Sequence, residues 1–155
     1  MKSILKPLSV LLGGILFLTL APPVYAAIDE NLPDAQTINQ LELRAQQANP
    51  RDQCYLYTEL VHTMTEMAVQ QMIHGEDKQA SVTLAQVNRY AHLIQLNLAK
   101  NTKRLKNAEM LMHHTTLRLA QSLHLASEDD RTSVQATLKQ LDLVQNQLLD
   151  QVFNH

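Results

Sequence analysis

Between Asp77 and Ala126 the chain carries neither glycine nor proline, and beyond residue 26 the only such residues are Pro33, Pro50 and Gly75. A chain with so few breakers, rich in Leu, Gln, Ala, Met and Thr, has few places to turn and little material for strands. It reads as helix almost throughout. Within the unbroken stretch, Leu84, Val87, Ala91, Ile94, Leu98, Leu105, Ala108, Met112, Leu119 and Ala126 keep one seven-residue register. Asn101, Thr115 and Ser122 occupy the same register but are polar.

The sparse punctuation marks the remaining helices. Pro33-Asp34 opens a short amphipathic helix with Ile38, Leu41, Ala45 and Ala48 on one side. Asn49-Pro50 is an N-cap followed by proline at the first helical position, with Asp52 in the first turn. That second helix turns Tyr57, Val61, Met64 and Ala68 inward and stops at His74-Gly75. Ser127-Glu128-Asp129-Asp130 caps a last helix with Val134, Leu138, Leu141, Leu148 and Val152 inward.

Two all-α architectures compete over the hydrophilic waist "AKNTKRLKN", residues 99 to 107. If the chain turns near Asn101, four long helices form an antiparallel up-down bundle with the short N-terminal helix added. If it does not, one continuous helix 77–126 links two αα-hairpins and needs a homodimer to cover its apolar faces. The unbroken register favours the long helix, as do Lys103 and Arg104, which suit a helix N-terminus poorly. The uncovered faces, including Leu93, Leu96, Met110 and Leu117, tip the expectation to the compact bundle. An internal echo bears on this: a shift of 52 places His62-Thr63 on His114-Thr115, Ala68 on Ala120 and Glu76-Asp77 on Glu128-Asp129. A doubled αα-hairpin is the implied origin, with equivalent turns at Gly75 and Ser127.

Residues 1–26 have the make-up of an export signal. Lys2 and Lys6 precede an apolar run from Leu8 to Leu20, and Val24-Tyr25-Ala26 puts small residues at −3 and −1 of a cleavage site. The run falls short of the roughly 20 residues a spanning helix needs. The expected mature chain starts at Ala27 and is periplasmic or secreted, not an integral membrane protein. It divides into an N-terminal segment, 27–48, and a bundle domain, 49–155, with a core for one domain. Lys and Arg number 13 against 15 acids, and losing Lys2 and Lys6 makes the balance more acidic. No nucleic-acid partner is expected from that charge or from a chain without tryptophan.

The motifs of catalysis are missing. With one glycine after the signal there is no phosphate-cradling loop or dinucleotide fingerprint, and no Gly-x-Ser-x-Gly, His-Glu-x-x-His or Cys-x-x-Cys-His occurs. The expectation is therefore not an enzyme. Cys54 is the sole cysteine, which leaves a buried small residue, a bridge between two copies, or a reactive thiol.

Metal ligands are conceivable. Glu59-Leu60-Val61-His62 has the Glu-x-x-His spacing of di-iron bundles, Glu66 lies one turn further on, and Glu109 with His113 or His114 could answer from a neighbouring helix. Glu59, His62 and Glu66 lie opposite Tyr57, Val61, Met64 and Ala68, however, which predicts an outward placement. Met64, Met67, Met72, His74, Met110, Met112, His113 and His114 together suit copper or haem; as ordinary residues they fill core gaps and decorate rims. The basic run Lys100, Lys103, Arg104 and Lys106, with Met110 and Leu117 beyond it, is the expected surface for a partner, another protein or a second copy.

The segments "NPRDQCYLYTELVH" and "TKRLKNAEMLMHHTTLRL" resemble an uncharacterised family of small exported all-helical bacterial proteins. The resemblance implies export and helicity, and no catalytic residue. The resulting expectation is an exported protein acting through protein–protein contacts, as scaffold, adaptor or chaperone-like hairpin. The alternative is a copper- or haem-binding bundle using His and Met.

Overall fold

The computed structural model describes residues 33–98 and 102–154. The proposed export signal, Lys100 and Asn101 lie outside the described residues. Five α-helices follow one another: α1 (Ala35–Gln47), α2 (Pro50–Ile73), α3 (Asp77–Asn97), α4 (Leu105–Gln121) and α5 (Glu128–Asn154), with one 3₁₀ turn at Leu123–Leu125 before α5. Among the described residues the fold is all-α, four long helices and a short one, as the breaker pattern predicts.

Each boundary has a local cause. Asp34 accepts the Thr37 N–H at 2.7 Å, and Asn49 accepts the Arg51 N–H at 3.0 Å ahead of Pro50. At the end of α2, Gly75 adopts φ 72. The Glu76 N–H then reaches the Gln71 carbonyl at 2.8 Å and the Gly75 N–H reaches Met72 at 3.1 Å, the paired bonds of a Schellman ending. Ser127 receives the Asp130 N–H at 3.2 Å and donates to the Asp130 carboxylate at 2.6 Å, fixing the start of α5.

The two halves of the chain are hairpins. In α2–α3, Thr83 meets Gln71 and Tyr90 stacks near Tyr57, so the helices run antiparallel through the Gly75 turn. Helices α4 and α5 pack as the second hairpin. Between hairpins the pairing is parallel: His62 meets Thr115 and Glu66 meets Arg118 along α2–α4, while Ser81 meets Asp130 and Asn88 meets Thr137 along α3–α5. The connection from α3 to α4 therefore crosses the bundle diagonally. The chain still runs up, down, up, down, but α4 stands beside α2 rather than beside α3.

The continuous helix 77–126 does not form: α3 ends at Asn97 and α4 begins at Leu105. Two contacts and one backbone turn hold the break. The Thr102 hydroxyl bonds the Asn97 carbonyl at 3.2 Å, the Lys103 N–H bonds the Arg51 carbonyl at 2.8 Å, and Arg104 turns left-handed at φ 54. Lys103 and Arg104 do stand at a helix start. Their charges are taken up elsewhere, by Asp52 at 3.9 Å and by the Tyr55 ring, 3.7 Å below the guanidinium. The apolar register survives the break because both flanking segments face one core: Leu84, Val87, Ala91, Ile94, Leu98, Ala108, Met112, Leu119 and Ala126 are all buried.

Helix α1 lies antiparallel along α2, with Arg44 on Glu59 and Gln53 reaching the Gln46 carbonyl. It buries Ile38 and Ala45. Glu42 of α1 accepts a hydrogen bond from Tyr90; burial above all, helped by this carboxylate, pushes the Tyr90 phenol up to about 12. Cys54 is fully buried in the core as a free thiol, and burial pushes it up to about 12. Of the three roles open to it, the buried small residue matches this position.

Candidate functional site

Helix α2 packs against α1, α3 and α4 at once, so it has almost no solvent side. This corrects the outward placement expected for Glu59, His62 and Glu66. All three are half-buried in seams between helices. Glu59 pairs with Arg44 of α1 at 2.8 Å, and Glu66 accepts from the Arg118 Nε of α4 at 3.1 Å. His62 contacts Thr115 at 3.0 Å, and its ring lies 5.7 Å from that of His114, centroid to centroid, at 60°.

The five residues of the sequence-based metal set thus separate. His62 and His114 face each other across the α2–α4 seam, whereas Glu59 belongs to the α1 contact. His113 points to the other flank of α4, where its Nδ1 lies 2.8 Å from Gln145 Nε2 of α5. Glu109 is half-buried on α4, one turn before His113. Among the described residues no group of three or more His, Cys, Asp or Glu is close enough to hold a metal ion.

The electrostatics of the seam centre on His62. Burial holds its imidazole below the ordinary 6.5; the Glu66 carboxylate opposes this and His114 reinforces it. Thr115, fully buried, meets the ring at Nδ1 and bonds back to the Leu111 carbonyl at 2.7 Å. Neither Thr115 nor the Glu66–Arg118 pair belonged to the sequence-based set. Their signal was present: Glu66 and Arg118 are 52 apart, the spacing of the internal echo, and parallel packing turns echoed positions into neighbours.

The expected partner surface is split as well. Lys103 and Arg104 strap the crossing connection to the start of α2, as described above. Lys106, Met110 and Leu117 remain on the solvent side of α4. Met110 is 60% exposed and Leu117 49%. Being seven residues apart, they lie on one stripe of the helix. Leu96 of α3 and Leu143 of α5 are also exposed, on other helices of the bundle. Leu93, by contrast, packs against the core.

No family model matches the chain, and neither a curated protein nor a solved structure is similar to it. Among the described residues no helix is long and apolar enough to cross a membrane.

Proposed function

We propose that the protein is exported and works without catalysis, through contact with another protein, as an envelope scaffold, adaptor or chaperone-like bundle. The observation that carries this reading is the α4 stripe of Met110 and Leu117, exposed at 60% and 49% beside Lys106. Two large apolar side chains one heptad apart, outside the buried core, are the anchors a partner helix takes. Lys106 at the edge favours a partner with an acidic flank. The charged cleavage-type leader and the want of catalytic motifs support the rest.

The test places a photo-crosslinking amino acid at Leu117 in the producing cell and a second at Lys139, on the exposed side of α5. One discrete adduct from position 117, absent from position 139 and lost with Met110→Glu, is the expected result. Equal, diffuse labelling from both positions contradicts the contact role. Mass spectrometry of the exported protein checks the leader, with Ala27 expected as the first residue.

A further inference from the structure

The α2–α4 seam holds an imidazole whose tautomer can be read from its neighbours. Thr115 has one hydroxyl proton, given to the Leu111 carbonyl at 2.7 Å. Toward His62 it can only accept, so the 3.0 Å contact is His62 Nδ1–H donating to Thr115 Oγ1. That leaves Nε2 of neutral His62 with a bare lone pair. A second imidazole, His114, stands beside the His62 ring, 5.7 Å away between centroids, exposed and able to turn at little cost.

The geometry points to a two-histidine site for a divalent transition cation, zinc or copper(II), held by His62 and His114 across the seam between the hairpins. With metal–nitrogen bonds of about 2.1 Å and a ring radius of about 1.1 Å, two imidazoles on one tetrahedral ion have centroids about 5.2 Å apart. The observed separation is half an ångström from that. The hydrogen bond from the far ring nitrogen to a buried acceptor is the support that metal-binding histidines use to fix tautomer and orientation. Burial disfavours protonated His62, so protons compete less for its lone pair. Neutral nitrogen donors select zinc or copper over calcium and magnesium, which need oxygen. Glu66, one turn away, is held by Arg118, so water completes the coordination sphere. Bound there, the ion staples the two hairpins together. The site uses neither Met110 nor Leu117, so its failure leaves the contact reading untouched.

The purified full chain is titrated with zinc(II) alone and copper(II) alone, following histidine ring signals by NMR. The expected result is one ion per chain, with His62 and His114 signals shifted or broadened and those of His74, His92, His113 and His124 unmoved. Binding of either metal alone identifies the ion. His114→Ala, an exposed change that spares the fold, lowers affinity about tenfold or more, and Thr115→Val lowers it by about 10–100-fold. Three results overturn the site: no saturable binding below about 1 mM, perturbation centred on other histidines, or unaltered affinity in His114→Ala.

Discussion

His62 couples the packing of the bundle to pH. Its imidazole titrates below 6.5 in the folded chain, so between that folded value and 6.5 the unfolded chain binds more protons. Stability contributed by His62 is therefore present above 6.5 and is lost as the pH falls through that window. The groups acting on it are Glu66 on its own helix, itself paired with Arg118, and His114 on α4. Melting curves from about pH 7.5 to about pH 5 should show a falling Tm, with a shallower fall in His62→Gln; identical slopes would remove His62 from the account. Cys54 offers a second residue-scale check. A fully buried thiol pushed up to about 12 is neither accessible nor ionised. Labelling by a thiol reagent at mild alkaline pH should proceed at the rate of unfolding, and fast labelling of the native protein would contradict the burial.

At the scale of elements, two turns define the hairpins. Gly75 stands at φ 72 with nothing within 4 Å of an added Cβ, so Gly75→Ala meets no clash and costs only the left-handed conformation, about 1 kcal/mol. Ser127→Ala removes the cap of α5 and costs about 1 kcal/mol. Both are measured by denaturant unfolding; a neutral Gly75→Ala would mean the turn relaxes into another conformation. These ends were legible in the sequence because caps are local chemistry: Asp34, Asn49-Pro50, Gly75 and Ser127 each act within a few residues. The α3–α4 break was not legible in that way. Its register is unbroken, and its causes are distant: Arg51, Asp52 and Tyr55 hold Lys103 and Arg104 from the start of α2. For the same reason the basic run read as a free surface, although two of its members are bound into the fold.

For the whole molecule, the decisive feature is the side-by-side arrangement of two hairpins. Apolar residues fill the centre, with Leu60, Met64, Leu84, Ile94, Met112, Leu119, Leu141 and Leu148 all buried. Polar pairs line the parallel seams, including Ser81–Asp130, Asn88–Thr137 and Gln95–Gln147 across α3–α5. Apolar packing supplies attraction without much positional preference, and hydrogen-bonded pairs set register. Leu119→Ala, at a fully buried position of α4, should cost about 2–5 kcal/mol. The internal echo acquires a physical sense here, since parallel stacking at a spacing of 52 sets His62 against His114. Periodicity alone could not reveal that neighbourhood, because a seven-residue repeat says which side of a helix is inward but not which helix lies beside it. The most direct test is the distance between spin labels at the exposed positions Ile73 and Gln121, in a Cys54→Ala background. Helices α2 and α4 end side by side in the bundle, which predicts a separation below about 25 Å, labels included. A separation of roughly 65 Å, the span of a helix running unbroken from 77 to 121 at about 1.5 Å per residue, would contradict it.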